Sequence, residues 1–360
     1  MIPVTKAYLP PIEDYKAQVQ RAYDNGWLTN RGELVQELEQ KITDYLGLKQ
    51  SKILITNNGT IPLQIALKLL GNGGEIITTP FSYVATTAAI VWENCTPVFV
   101  DIHPEYFTID ETKIEEAITP RTTCILATHV FGNPCNVEAI KAIAQKHNLK
   151  VIYDAAHCFG VKYKGKSIFE YGDVSTCSFH ATKIFHTGEG GAIFCQNADL
   201  FHKVFYSHNF GHKDAVSFHG LGVNGKISEL QAAMGLAVLP GIQDIMDRRR
   251  IIAELYTDNL QHPHISLFSI RGFTTWNYSY FPIVFKSEDV LLKVEAALHK
   301  NNIIPRRYFY PSLNKLNYLE NYIACPVAES ISSNILCLPV YYELDVKIAI
   351  EICDIIKTAS

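Results

Sequence analysis

Val151-Ile152-Tyr153-Asp154-Ala155-Ala156-His157 is a short apolar run that ends on a carboxylate, and Ser178-Phe179-His180-Ala181-Thr182-Lys183 leaves a second run and ends on a lysine. The first run, Lys150–Asp154, is rich in β-branched and aromatic side chains and reads as a strand buried on both faces. Upstream of it, strand and helix signals alternate. Glu33–Leu46 carries Leu34, Leu38, Ile42 and Tyr45 on one helical face. Lys52–Thr56 reads as a strand, and Thr60–Leu70 as a helix closed by Gly71-Asn72-Gly73-Gly74. Glu75–Thr79, Pro97–Asp101 and Thr123–Thr128 read as strands. Ser82–Glu93, Ile109–Ile118 and Asn136–His147 read as the helices between them. This alternation predicts a mainly parallel sheet with helices on both faces.

Downstream the pattern changes. Val174–Phe179 and Gly191–Cys195 read as strands with no helix-length segment between them, which predicts antiparallel pairing there. Ala198–Ser207, Lys226–Val238 and Gly241–Leu260 read as helices, the last two separated by Pro240. From about Thr275 onward, Tyr278–Phe285, a helix Glu288–Asn301 and a tail helix Asp345–Lys357 suit a smaller α/β unit. The expected organisation is a large domain over residues 1–245 and a small C-terminal domain over 246–360.

Composition narrows the function classes. The 360 residues are 48% hydrophobic and 19% charged, as in a soluble globular protein. A formal net charge of −4 gives no reason to expect a nucleic-acid surface. The apolar runs are shorter than a membrane span, and Met1–Leu9 lacks the basic-then-apolar pattern of a secretory signal. Nine cysteines without a C-x-x-C pair read as reduced core thiols, so a cytoplasmic location is expected and a cysteine nucleophile is not. His208 and His212 lie at helical spacing but have no acidic partner set, so no metal site is expected.

In sheets of this kind ligands gather at the carboxyl ends of the strands. Asp154 and Lys183 sit at such ends, and Asn57-Asn58-Gly59-Thr60 joins a strand to a helix N-terminus whose N–H groups can hold a phosphate. Taken singly, these are a surface lysine, a turn cap, an ordinary helix start and, at Tyr83, a core aromatic. Taken together they have one chemical explanation. An amine such as Lys183 forms an imine with an aldehyde cofactor. A carboxylate such as Asp154 keeps a pyridine nitrogen protonated, so that the ring draws electrons. Gly59, Thr60 and Ser178 would hold a cofactor phosphate, and Tyr83 would pack on the ring.

Four segments occur in order: Asp154-Ala155-Ala156-His157, Ser178-Phe179-His180-Ala181-Thr182-Lys183, Gly188-Glu189-Gly190-Gly191 and Asn224-Gly225-Lys226-Ile227-Ser228-Glu229-Leu230-Gln231-Ala232-Ala233. With Trp27-Leu28-Thr29-Asn30, Asn58-Gly59-Thr60 and Phe131-Gly132-Asn133-Pro134, they resemble the DegT/DnrJ/EryC1/StrS family of sugar aminotransferases over nearly the whole chain. The resemblance implies the PLP-dependent transferase fold type I, aspartate aminotransferase-like, with a large mainly parallel mixed sheet domain plus a smaller C-terminal α/β domain. It implies pyridoxal 5'-phosphate as cofactor, carried by Lys183, which also shuttles a proton between two carbons. Asp154 is then the pyridinium partner, and His157 lies near the phenolic oxygen. Gly59, Thr60 and Ser178 are phosphate ligands, and Tyr83 stacks on the ring. Asn224, or Lys226 two positions on, reaches the phosphate of a neighbouring subunit, which implies a homodimer with shared active sites.

The same resemblance implies a ping-pong cycle with L-glutamate as donor and a nucleotide-linked ketosugar as acceptor. His180, the glycine-rich Gly188–Gly191 and Arg306-Arg307-Tyr308-Phe309-Tyr310-Pro311-Ser312-Leu313 resemble members acting at C4 of dTDP-4-keto-6-deoxyglucose. The expected product is a dTDP-4-amino-4,6-dideoxyhexose of the kind used in O-antigen and lipopolysaccharide biosynthesis, with 3-keto-sugar amination as the alternative. By motif position, Trp27, Thr29, His186, Arg306 and Tyr310 are candidate substrate contacts. Relatives that dehydrate the sugar replace the lysine with histidine, which Lys183 argues against, and the full set of cofactor residues argues against a purely regulatory relative. From another class, Gly160–Ser167 satisfies a P-loop pattern, yet Phe159–Tyr163 followed by Lys164-Gly165-Lys166 reads as a hairpin rather than as a strand, loop and helix.

Overall fold

The alternating apolar runs and amphipathic helices build one seven-stranded sheet in a computed structural model that describes residues 1–360. In chain order the first half contains β1 (Ile2–Pro3), α1 (Ile12–Asp24), α2 (Glu33–Leu46), β2 (Lys52–Thr56), α3 (Thr60–Leu70), β3 (Glu75–Thr78), α4 (Val84–Trp92), β4 (Thr96–Phe99), β5 (Thr122–Thr128), α5 (Val137–His147) and β6 (Lys150–Asp154). Then come β7 (Lys162–Tyr163), β8 (Lys166–Ser167), β9 (Val174–Ser178), β10 (Gly191–Cys195), α6 (Ala198–Ser207), α7 (Glu229–Val238) and α8 (Ile242–Asn259). The rest is β11 (Ile265–Leu267), β12 (Thr274–Thr275), β13 (Phe281–Phe285), α9 (Glu288–Lys300), β14 (Ile303–Ile304), α10 (Pro326–Asn334), β15 (Ile335–Leu338) and α11 (Val346–Ala359).

The sheet order is β2-β10-β9-β6-β5-β3-β4. Only β10 runs against its neighbours, pairing Gly191 with Thr56 on one side and with Ser178 on the other. This is the antiparallel pairing that the missing helix between β9 and β10 predicts. From β3 the chain steps outward to β4, then back past β3 to β5, β6 and β9, so a crevice opens at the carboxyl ends near β3 and β5. Alternate side chains enter two cores: Ile55, Ile77, Ile125 and Tyr153 pack under α2, α5 and α7, while Leu54, Ile76, Leu126 and Ile152 pack under α3 and α4. A separate core runs from Ile252 to Ile356 in the C-terminal part. Helix α8 belongs to both units, with Ile242 and Ile245 in the first and Ile252 and Tyr256 in the second. The first two residues of β1 pair with β14, so the chain's N-terminal end lies against the C-terminal unit.

Several expected elements take another form. Ile109–Ile118 is two 3₁₀ turns, Glu111–Lys113 and Glu115–Ala117, instead of one helix. The Asp110 side chain caps the first turn, and the chain is already extended at Ile118, before Thr119-Pro120. Helix α4 starts two residues late because Tyr83 is extended. Helix α7 starts at Glu229 because Ser228 and Gln231 form a capping box. Gly160–Ser167 ends in the hairpin β7–β8, turned by Lys164 and Gly165 at φ 49° and 77°. A 3₁₀ turn, Ile168–Glu170, follows it instead of the helix that a phosphate-binding P-loop needs.

Helix α2 has Gly32 at its N-cap, which offers no side chain to the first N–H groups. Glu229, 1% exposed and distant in sequence, supplies the acceptor: its carboxylate receives Leu34 N–H at 2.7 Å and Val35 N–H at 3.4 Å. Replacing Glu229 with Ala should therefore lower the unfolding free energy by about 2 kcal/mol, read from denaturant unfolding, because buried donors lose a charged acceptor.

Candidate active site

Lys183 is fixed by its backbone before its side chain does anything. After β9, Phe179 N–H donates to Gly190 O at 2.8 Å, Ala181 N–H to Gly188 O at 2.7 Å and Lys183 N–H to His180 O at 2.9 Å. Buried Phe179 and Phe185 pack edge to face at 4.8 Å and anchor this loop to the core. The lysine side chain then turns into a cavity of about 270 Å³ lined by Gly59, Thr60, Tyr83, Asp154, His157 and Ser178, among others. Burial pushes the Lys183 amine below the usual lysine range, opposed by Tyr308, Asp154, Cys177 and Tyr83.

Asp154 closes β6 at 5% exposure. Its Oδ2 accepts from Thr86 Oγ1 at 2.6 Å and its Oδ1 from Ala156 N–H at 3.1 Å. Thr86 also lies 2.7 Å from Ser82 Oγ, which accepts from Thr128 Oγ1 at 3.0 Å. Burial raises the carboxyl above its usual range, while Thr86, Ala156 N–H and Lys183 pull it down. A buried carboxylate without an ion-pair partner is costly, and a cationic N–H against it would offset that cost.

Gly59 precedes α3 and lies so close to β9 that a Cβ there would stand 2.8 Å from Ser178 Cβ. Asn58 Oδ1 accepts from Thr60 N–H at 2.8 Å and Ile61 N–H at 2.9 Å, leaving the Gly59 N–H and the hydroxyls of Thr60 and Ser178 for an anion. The loop 57–59 passes directly over the start of β10, where a Cβ on Gly191 would stand 2.3 Å from Asn58 O. His157 Nδ1 accepts from Phe131 N–H at 3.1 Å, so Nε2 carries the proton and is a donor. Burial holds this ring neutral, well below the ordinary histidine value.

The structure does not gather every residue singled out from sequence. Lys183, Asp154, His157, Ser178, Gly59, Thr60, Tyr83 and Arg306 line one cavity. Arg306 stacks its guanidinium 4.6 Å over the Tyr308 ring. Tyr310 lies outside this cavity, in an adjoining groove with Tyr83 and Arg306, under the Arg307 guanidinium at 3.9 Å. Trp27 and Thr29 are exposed on the loop before α2 and stand apart from it. Asn224 is exposed beside Asn57, with Lys226 Nζ donating to its Oδ1 at 2.8 Å. His186 is 2% exposed and bonds Tyr8 O at 2.7 Å, which ties it to the N-terminal segment instead of the cavity. Sequence reading missed Thr86, Tyr280, Tyr308 and Phe309. Thr86 had a signal, a polar side chain one turn beyond Tyr83 on an apolar helix. A wider cleft of about 560 Å³, at the amino ends of β6 and β9, contains none of the cavity group. No cluster of His, Cys, Asp and Glu is placed to hold a metal, and no helix is long and apolar enough to cross a membrane.

These donors fit pyridoxal phosphate. A buried carboxylate lacks a cation, an enclosed amine has its pKa lowered, a neutral imidazole offers a donor, and a glycine approaches two hydroxyls. The sequence model of the DegT/DnrJ/EryC1/StrS aminotransferase family matches residues 12–357. The chain is 41% identical to the dTDP-4-amino-4,6-dideoxy-D-glucose transaminase of Escherichia coli, covering 98% of this chain and 96% of that one. It is 42% identical to the protein of the same name from Shigella dysenteriae, covering 95% and 94%. Among solved structures, DesI in the presence of its TDP-sugar product superposes with a TM-score of 0.93 at 28% identity, covering 99% of this chain and 92% of that one.

Thr86→Val keeps the side-chain shape but removes the hydroxyl that steadies Asp154. It should weaken binding of pyridoxal phosphate about tenfold, measured by equilibrium titration of the unloaded protein, with the fold intact.

Proposed function

Because this chain belongs to the DegT/DnrJ/EryC1/StrS aminotransferase family, we propose that it transfers an amino group from L-glutamate to C4 of a nucleotide-linked 4-keto-6-deoxyhexose, dTDP-4-keto-6-deoxyglucose, using pyridoxal phosphate. The observation that carries this reading is the joint burial of Lys183 and Asp154 in one cavity beside a phosphate-sized cradle. The product is a 4-amino-4,6-dideoxy sugar nucleotide, made in the cytoplasm. The same reading divides the chain at residues 245 and 246, within α8.

When bound, the cofactor supplies an aldehyde that captures amines and a ring that draws electrons from the adjacent carbon. Asp154, its carboxylate held by Thr86 and Ala156 N–H, would keep a proton on the ring nitrogen. The Lys183 amine, its pKa lowered by burial, would take a proton from the carbon that gives up nitrogen and return one to the carbon that gains it. The His157 Nε2–H would donate to the phenolic oxygen, since Nδ1 accepts from Phe131 N–H. Gly59, Thr60 and Ser178 would hold the phosphate, and Tyr83 would pack on the ring. Arg306 carries no ion pair of its own and offers its charge to the anionic substrate at the cavity mouth.

Asn224 stands outside its own cavity, and the neighbouring loop exposes Phe210, Val216, Phe218, Leu221 and Val223. Such a patch suits burial against a second copy, with Asn224 completing the partner's phosphate site and Trp27 and Thr29 reaching the partner's substrate.

An assay with glutamate and a panel of nucleotide-linked ketosugars, with the amine position read by NMR, tests the substrate. Amination at C4 of the dTDP sugar is expected, and amination only at C3 would replace this assignment. Lys183→Ala should abolish both activity and the visible absorbance band that arises when the cofactor aldehyde is joined to this lysine. The rate should rise with pH as Lys183 loses its proton, with a midpoint below the ordinary lysine value of 10.5. Lys183→Ala and Asn224→Asp subunits, inactive or impaired apart, should regain activity when reassembled together, since one site of the mixed dimer is intact.

A further inference from the structure

Lys183 has one hydrogen-bond partner for its amine, and it comes from the C-terminal unit. Nζ donates to Tyr280 Oη at 3.4 Å and stands 5.5 Å from the centre of that ring. Asp154 is near, but its oxygens are engaged by Thr86 and Ala156 N–H. Tyr280 is 3% exposed and is held on every side. Its ring packs 4.8 Å from His157 and 5.2 Å from Tyr308.

The backbone before it is riveted twice. Asn277 Nδ2 donates to His157 O at 2.8 Å and Phe159 O at 2.9 Å, on the loop that follows Asp154. Arg249, 3% exposed on α8, donates to Tyr278 O at 3.0 Å and Ser279 O at 2.7 Å. A buried guanidinium and a buried amide are costly unless fully bonded, and both are used here to fix the segment that ends at Tyr280. Core packing alone would need the ring and not the hydroxyl.

We propose that Tyr280 is the positioning residue for the free amine of Lys183, its hydroxyl receiving the amine whenever it is not covalently engaged and Tyr308 steadying that hydroxyl from the other side. The proposal rests on the transaminase reading and adds a residue to its proton-carrying step. It also links the two units, since the amine of one is aimed by a phenol of the other.

The groups facing the amine are Asp154, Cys177, Tyr83, Tyr280, Tyr308 and, across the cavity, His157. With the others unchanged, losing the Tyr280 hydroxyl removes an acceptor from the charged amine. The charged form is then less favoured, and the amine titrates at lower pH.

The test uses the full-length chain without bound cofactor. Lys183 is alkylated with acetaldehyde and cyanoborohydride across pH, and the modified peptide is quantified by mass spectrometry. In Tyr280→Phe the midpoint of the rate should fall by about half a pH unit, as suits a long bond to a charged donor. Tyr308→Phe should shift it the same way, since the Tyr308 phenol also raises the amine's pKa. In the loaded enzyme, Tyr280→Phe should lower kcat about tenfold and leave KM for donor and ketosugar within about twofold. An unchanged midpoint with unchanged kcat would overturn the proposal. Should Tyr280→Phe fail to fold, Tyr308→Phe decides alone, and an unmoved midpoint there is equally fatal. The labelling needs no sugar, so an incorrect substrate assignment leaves this result standing.

Discussion

A carboxylate and an amine are enclosed in one cavity without closing into an ion pair, and the site depends on that separation. In a low-dielectric interior opposite charges draw together strongly. Asp154 is kept from Lys183 by a threonine hydroxyl and a backbone N–H that already occupy its oxygens. Lys183 is kept from Asp154 by a loop closed through its own backbone and by a phenol on its other side. A direct salt bridge would quench both groups, holding the amine charged and the carboxylate satisfied. Kept apart, each retains an unmet need, and one flat molecule with a ring nitrogen at one end and an aldehyde near the other meets both.

The sheet serves this arrangement through register. Thr128 pairs with Asp154, and Asp154 with Thr176, so β5 and β6 end in step while β9 runs two residues further, to Ser178, and the three ends form one rim. Helix α4 lies across that rim and lowers Thr86 onto Asp154. The C-terminal unit closes the remaining side with Tyr280, Tyr308 and Phe309, in an aromatic cluster shared with Phe81 and Phe131 of the large sheet domain. Helix α8 is common to both cores, so the two units cannot shift without repacking it.

Local chemistry was the legible part of the sequence. Strands β2, β6 and β10 and helices α2, α3 and α6 were readable to the residue because period, length and punctuation agreed. Asp154 and Lys183 were readable because each follows a short buried strand at its carboxyl end. Thr86 and Tyr280 were not, because what brings them to Asp154 and Lys183 is a contact across 68 or 97 positions, and no local pattern encodes that. Ile109–Ile118 has helical spacing yet forms two short 3₁₀ turns, the first capped by Asp110 and the second ended by an extended Ile118. Helix α1 escaped notice although Tyr15, Val19 and Ala22 share one face against the core; only Ala22 of that face is fully buried. His186 shows the opposite failure: its place near the lysine in sequence suggested a substrate contact, while its ring points to Tyr8.

The reversed strand β10 has an effect beyond topology. It separates β2 from β9, so the segment leaving β2 must span two strand spacings, about 10 Å, before Gly59 can touch Ser178. That bridge lies flat only because Gly191 beneath it is bare. Any methyl there would jack the loop upward like a shim under a beam, carrying Gly59 and Thr60 away from the amine while leaving the side chains of Lys183, Asp154 and His157 unaltered. The distance between those two residues and the amine, and so the length of molecule the cavity accepts, is set by a residue with no chemistry at all.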